Sequence, residues 1–385
     1  MLKGTYIIYE NGKEIARSEN IVTKFGKRFL TNFIAGNFVG KSKDIAVGIG
    51  SGISLSSISG NGTAITYTTS SVHNLDVSDK VSIYGSNISG YNLKNVTVAS
   101  VPSTTTFTVA NSATGSYTSG GKLIRDIDTR LNFEFYRLPV VFGSTDIQTS
   151  SNITTYKAIF KTTLPQDMAG QISEIGLYPS TRVSTNNYDS KFIADFIDPM
   201  DWIAADSSTG VSVSNDDTTT YSNIGNTGVR LSSANTTAKE YFYTIPPLDI
   251  SGYSANDSIK LAYYKDNANL ENIKVRLYSS PTDYYEATIT DTSGTGHKIS
   301  DDILMSTVYS GGSGSPDKTN INKVGIVITP QTGVATTVVF DGLRINDEDT
   351  FDPYFGLISR SLFDTTLSKL AGRRVDIEYV MELSF

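Results

Sequence analysis

Between residues 241 and 285 the chain places Tyr241, Phe242, Tyr243, Tyr253, Tyr263, Tyr264, Tyr278, Tyr284 and Tyr285. Aromatic rings stack on the apolar faces of sugars while polar neighbours fix orientation, so this set has the chemistry of a glycan-binding surface. The competing reading is that such rings fill a core. In adjacent pairs such as Tyr263 and Tyr264 strand side chains alternate, so one ring must point outward. The glycan-binding candidates are Tyr241, Tyr243, Tyr263, Tyr264, Tyr284 and Tyr285. Carboxylates are the second resource. Asp216, Asp217 and Asp341 are candidates for a structural calcium, which takes several oxygen ligands. No EF-hand or repeat-type spacing surrounds them, and solvated turn carboxylates are the alternative. No other cofactor is expected. Paired carboxylates also hydrolyse glycosides. Here Asp and Glu alternate along strands or sit in turns, as surface residues do, and no enzymatic activity is expected. There is no cysteine, hence no disulfide, thiolate metal site or thiol nucleophile. His73 and His297 stand far apart in sequence, which gives poor support to a zinc site or a catalytic triad. GIGSG (48–52) and SGGSGS (310–315) do not match a phosphate-binding glycine motif and read as loops.

The elements that must position these residues are strands. The chain has 385 residues, only 18% of them charged, with 32 Gly, 22 Tyr and 17 Phe. That composition suits short strands and tight turns rather than helical bundles. The net charge of −7 argues against nucleic-acid binding driven by bulk charge. No apolar run approaches the ~18 residues of a membrane helix, so no membrane insertion is expected. The first residues, MLKGTYIIYENGKEIA, lack the apolar stretch of a signal peptide.

Along the chain, TYIIY (5–9) reads as a strand turned back by Asn11-Gly12. Val22, Phe25, Phe29, Leu30, Phe33 and Ile34 form one apolar stripe at helical spacing, with Gly36-Asn37 as a stop and Lys24, Lys27 and Arg28 on the polar face. Residues 44–52 read as a buried strand. From 53 to 124 short alternating runs, closely punctuated by turn residues, predict a small antiparallel barrel or sandwich. Strands follow at 128–140, 154–165, 170–180 and 191–198. Residues 199–349 have the layout of a β-jelly-roll. In the last strand Val375, Ile377, Tyr379, Met381, Leu383 and Phe385 alternate without a break, which makes one face apolar.

Three stretches carry resemblances. In residues 72–109, His73 to Val81 matches H-x-L-x-x-x-D-x-V, Ser89 to Asn92 reads SGYN, and Val98 to Val109 matches V-x-S-V-x-S-x-T-x-F-T-V. This segment resembles a small β module repeatedly inserted in phage structural proteins, where His73 looks like a turn residue and not a ligand. AVGIG (46–50), TRL-x-x-E (129–134), ISEIGLY (172–178), FIADF (192–196) and the ending LSKLAGRRVDIEYVMELSF (367–385) resemble baseplate and tail-collar proteins of contractile-tailed phages. GVRLSS (228–233), the pair within 247–266 and VVFDGLRI (338–345) look like carbohydrate-binding-module jelly rolls.

The fold class that follows is mainly β: a discontinuous β-sandwich-like scaffold with one helix (1–52, 125–198 and 350–385), an inserted small β-barrel (53–124) and an inserted β-jelly-roll (199–349). Insertion into surface loops costs little, because loop-closure entropy grows only logarithmically. The resemblance implies a non-enzymatic virion protein of the tail, baseplate or collar-fibre region, assembled in a bacterial cytoplasm. Its partners would be other virion proteins and copies of itself, as a trimer or hexamer. Phe25, Phe29, Phe33, Tyr379, Met381 and Phe385 are the assembly candidates. The alternative is a host-receptor protein whose jelly roll binds surface glycans; a polysaccharide depolymerase is the third reading.

Overall fold

The alternation at the end of the chain builds the strand Val375–Ser384, the middle of a five-stranded antiparallel sheet. In order across that sheet run Val141–Ser150, Ile153–Leu164, Val375–Ser384, Leu2–Glu10 and Lys13–Glu19. The first and last strands pair from Leu2 with Leu383 to Glu10 with Val375. Asn11 (φ 50°) and Gly12 (φ 81°) turn the hairpin, the positive-φ pair that a two-residue hairpin loop demands. This computed structural model describes residues 2–35, 43–150, 153–179, 191–205, 211–216, 221–233, 237–289, 294–331, 334–346 and 356–384. It divides into two units, residues 1–183 with 351–385, and residues 184–350.

In the first unit a second five-stranded sheet runs Glu134–Pro139, Lys43–Gly48, Gly170–Pro179, Ser359–Lys369, Ile21–Val22. Between the two sheets lie Tyr6, Ile8, Ile45, Val47, Ile175, Leu177, Ile377 and Tyr379. The helix Lys24–Ile34 adds Phe29, buried, and Phe25, half-buried. Thr23 caps it: Thr23 Oγ1 accepts from the Gly26 N–H at 2.9 Å. Gly26 cannot carry a side chain, because a Cβ there would lie 2.1 Å from the Ile358 carbonyl oxygen. The assembly reading is corrected here. Phe29 and Tyr379 are core residues, and Phe25 and Met381 pack against that core. Each buried ring contributes roughly 1.5–3 kcal/mol to the scaffold itself rather than to a docking face. Phe385 and the side chain of Phe33 lie outside the described residues, as does the Gly36-Asn37 stop.

Residues 53–125 close into a six-stranded barrel in the order Gly120–Arg125, Ile53–Gly60, Ala64–Thr69, Thr106–Ala110, Val96–Ser103, Lys80–Ser86. Ile65, Tyr67, Val81, Ile83, Phe107 and Val109 fill it. Ile53 pairs with Leu123, so the chain enters and leaves the barrel side by side. The barrel packs on the scaffold through Tyr84 and Ile124 against Ile21 and Leu362. His73 is buried against Phe107, and its Nδ1 accepts from the Leu75 N–H at 3.0 Å, which fixes the turn before the strand.

The second unit is a two-sheet jelly roll. One sheet runs Val211–Asp216, Gly228–Ser233, Thr336–Asn346, Ser258–Lys265, Gly296–Ile299, with Lys191–Ala194 beside Thr336–Asn346 and Ile303–Leu304 beside Ser258–Lys265. The other runs Trp202–Ala204, Lys239–Leu248, Ile321–Pro330, Leu270–Tyr278, Tyr284–Ile289. A short helix, Met305–Ser310, that the sequence reading did not predict buries Met305 and Val308. The expected boundary at residue 198 moves: Lys191–Ala194 pairs with the Thr336–Asn346 strand, and Phe196 stacks on Trp202 at 4.5 Å within this core. Residues 191–198 therefore belong to the jelly roll and not to the scaffold.

Candidate functional site

Strand pairing in the five-stranded sheet of the jelly roll lines up three rows on its outer face. The middle row is Ile203, Phe242, Gly325, Arg276 and Glu286, one residue from each strand. On one side lie Thr244, Lys323, Tyr278 and Tyr284; on the other, Glu240, Val327, Lys274 and Thr288. The inner-facing neighbours, Tyr241, Ile273, Val275, Leu277, Tyr285 and Ile326, fill the core, and period-2 alternation then forces this set outward.

Arg276 organises the face. Its NH1 donates to Glu240 Oε2 and its Nε to Glu286 Oε2, both at 2.8 Å. Lys274 Nζ donates to Glu286 Oε1 at 2.8 Å, and Tyr278 Oη donates to Glu240 Oε1 at 2.7 Å. Glu240 reaches Arg276 and Tyr278 across the central strand only because Gly325 lies beneath. A Cβ there would stand 2.6 Å from Glu240 Oε1 and 2.9 Å from Tyr278 Cε2. Burial alone would raise the Glu286 carboxyl; hydrogen bonds from Lys274 and Arg276 outweigh it and hold the group below the usual carboxylate range. Burial, then the bond to Glu240, push the Tyr278 phenol well up, so it stays a neutral donor.

Rings and cations interleave on the same surface. Phe242 and Tyr278 meet edge to face at 5.5 Å, and Tyr278 and Tyr284 lie 4.8 Å apart. Lys323 Nζ sits 4.4 Å from the Phe242 centroid and 4.6 Å from that of Tyr278. The Arg276 guanidinium lies 4.6 Å from the Tyr284 centroid. Tyr278 is buried beneath its neighbours, while Phe242 and Tyr284 are half-buried. The result is a ring-bearing face whose carboxylates are both paired and whose side chains are held in place.

The structure separates the predicted tyrosines. Tyr284 belongs to this face. Tyr264 lies on the outer face of the opposite sheet, between Tyr221 and His297 at 4.8 and 4.9 Å. Tyr241, Tyr263 and Tyr285 are corrected to core residues; Tyr241 Oη donates to the Ser232 carbonyl at 2.6 Å and Tyr285 Oη to that of Pro316 at 2.9 Å. Tyr243 packs inward on Trp202 at 5.3 Å. The alternation argument for the pair at 263 and 264 holds, and it applies equally at 284 and 285. The charged members (Glu240, Lys274, Arg276, Glu286 and Lys323) were not singled out from sequence. Their signal is the alternation in KVRLY (274–278) and YYEAT (284–288), which reads as outward only once the core side is known.

Asp341 is buried and accepts from Ser222 Oγ and from the Asn223 N–H, both at 2.6 Å, an arrangement that pins a loop to its strand. Asp217 and the side chain of Asp216 lie outside the described residues. Among the described residues no three His, Asp or Glu side chains gather as metal ligands, and no helix is long and apolar enough to cross a membrane.

No protein-family model matches the chain, and no curated protein matches it. Solved structures similar to part of it include the family 11 carbohydrate-binding module of the cellulosomal cellulase Lic26A-Cel5E of Clostridium thermocellum. That module is 16% identical with a TM-score of 0.32, over 42% of this chain and 96% of that one. The family 30 carbohydrate-binding module of the cellulase Cel9D-Cel44B of the same organism is 14% identical with a TM-score of 0.31, over 42% and 98%. The agarase AgWH50C is 10% identical with a TM-score of 0.30, over 43% and 25%.

Proposed function

We propose that this protein binds polysaccharide through the outer face of the five-stranded jelly-roll sheet. The observation that carries the reading is the arrangement of Phe242 and Tyr284, half-buried and held by Lys323, Tyr278 and Arg276, beside hydrogen-bonding groups fixed in one network. Rings supply stacking area at low entropic cost, and a pre-bonded polar network presents fixed donors and acceptors to hydroxyl groups. Arg276 and Lys274 together balance both carboxylates of the face, which suits an uncharged or weakly charged chain of sugars. The same bonds support binding without hydrolysis. A glycosidase acid needs a raised pKa, and Glu286 is held in the opposite direction.

The full chain is to be screened against a glycan array, with affinities measured by calorimetry. Phe242→Ala and Tyr284→Ala should each weaken binding about fivefold or more, taking as the scale the ~1–3 kcal/mol that a nucleobase gains by stacking on an aromatic side chain. Tyr264→Ala, on the opposite sheet, should change little. No binding by folded protein, or loss with Tyr264→Ala alone, overturns the proposal. Release of oligosaccharide during incubation would replace binding with hydrolysis.

The resemblance of residues 72–109, and of the scaffold strands, to phage structural proteins supports a setting for this binding: display on a tailed-phage virion, with the host surface as the source of glycan. That setting rests on sequence alone. Antibody raised to the chain should decorate purified particles at the tail; undecorated particles would remove it.

A further inference from the structure

The two scaffold sheets present four edges, and three are guarded. Lys13–Glu19 carries Lys13, Glu14, Arg17 and Glu19. Glu134–Pro139 carries Glu134 and Arg137 and ends in proline. Ile21–Val22 has only two residues, both buried. The fourth, Val141–Ser150, is different. It is ten residues long, VFGSTDIQTS, with no proline or lysine and one charge, Asp146. Its neighbour on one side is Ile153–Leu164, and it ends the sheet on the other. Long, uncharged edges are what natural sheets avoid unless another strand covers them.

The side chains agree with the backbone. Val141, Phe142 and Ile147 are 72%, 56% and 63% exposed. Ile147 pairs with Tyr156 and Tyr156 with Leu383, which makes one apolar row across three strands; Tyr156 is 47% exposed and Leu383 39%. By alternation this row lies on the same side as Phe160 and Tyr379, the core side, so the core face of the sheet continues outward as an exposed apolar strip.

We propose that Val141–Ser150 is an assembly edge that pairs antiparallel with the same strand of a second copy about a two-fold axis. The strip beside it closes against its equivalent. The occupant follows from the comparison of edges: among the described residues this is the unguarded one of the four scaffold edges, so a second copy offers the same unguarded strand to it. Such a contact is isologous, and the strand's one charge, Asp146, opposes its own copy only where the axis passes through that residue, which favours a register with the axis to one side of it. A two-fold contact fits a dimer, or a hexamer containing dyads, and not a trimer built through this edge.

The test uses the full chain. Light scattering should give an even multiple of the 41.7 kDa chain mass, and Ile147→Lys should lower it to the next smaller species with an unchanged circular-dichroism spectrum. Because the chain contains no cysteine, a second readout is independent of that variant's folding. Among single-cysteine variants at each position from Ser144 to Gln148, mild oxidation should give a disulfide-linked dimer for the residue nearest the axis. Lys13→Cys, on the guarded edge, should not cross-link. A monomer throughout the micromolar range, a trimer, or an assembly that neither Ile147→Lys nor oxidation affects would each overturn the proposal.

Discussion

Arg276 shows how one side chain sets the character of a surface. Its planar fork meets two carboxylates from different strands, and its face lies against Tyr284. Lysine has the charge but not the geometry. Arg276→Ala should destabilise the jelly roll by about 2–4 kcal/mol, because Glu240 and Glu286 keep their charge and lose their common partner. Arg276→Lys should recover only part, as read from denaturant midpoints. Gly325→Ala should cost about 1 kcal/mol in stability, since the new methyl displaces the Glu240 carboxylate, and should weaken glycan binding more than that. Lys94 gives a pH signature in the other unit. Burial pushes its ammonium down to about 8, more than Asp364 and Glu19 restore. The folded state therefore releases this proton while the unfolded chain still holds it, and stability rises as pH increases from about 8 towards the ordinary lysine value near 10.4. Burial moves Lys43, Lys122 and Lys369 in the same direction. Lys24 and Lys161, raised by hydrogen bonds to Asp79 and Glu378, act in the opposite sense only above about pH 10. Melting temperatures taken at pH 7 and pH 9 should increase.

At the scale of elements, the joint between scaffold and barrel rests on a buried ion network. Arg360 donates to Asp128 at 2.8 Å, to Glu174 at 2.7 Å, and to the Ser51 carbonyl at 3.4 Å. Ser51 precedes the first barrel strand and Asp128 follows the last, so one guanidinium holds both connections. Glu174 also accepts from the N–H groups of Asn132 and Phe133 at 2.9 and 2.7 Å. Arg360→Met leaves buried Glu174 without its cation and Asp128 with Arg125 alone, and should cost about 3–5 kcal/mol, measured by chemical denaturation. Burial would raise the Asp128 carboxyl; Arg125 and Arg360 outweigh it and hold it low. Its contribution is present above the ordinary carboxylate value near 4 and is lost as pH falls through the lower folded value.

For the molecule as a whole, the discontinuous scaffold makes deletion a direct test. Joining Gly52 to Arg125 removes the barrel where its own first and last strands already lie side by side. The shortened chain should fold with the β spectrum of the parent. It should lose about 2–5 kcal/mol in the first unit, chiefly from uncovering Ile21 and Leu362. The jelly roll has its own core, so glycan binding should survive the deletion. Global unfolding of the shortened protein would show that the barrel is part of the scaffold's folding unit.

Most of the architecture was legible because it is local. Period-2 alternation, glycine-rich turns and one helical stripe marked the strands, the barrel, the jelly roll and the helix, since each depends on neighbours in sequence. Alternation also required that one of Tyr263 and Tyr264, and one of Tyr284 and Tyr285, face outward. Which of the two it would be, and which sheet would hold it, depended on the register of strands distant in the chain. Only that pairing sent Tyr284 to the Arg276 face and Tyr264 to the opposite one. The same holds for Phe29 and Tyr379. Their apolar pattern was plain, but whether an apolar face meets another part of the chain or another molecule is a property of what folds over it. Packing covered them and left Phe142, Ile147 and Leu383 exposed, because one sheet reaches beyond the apolar surface that the described residues of the scaffold supply.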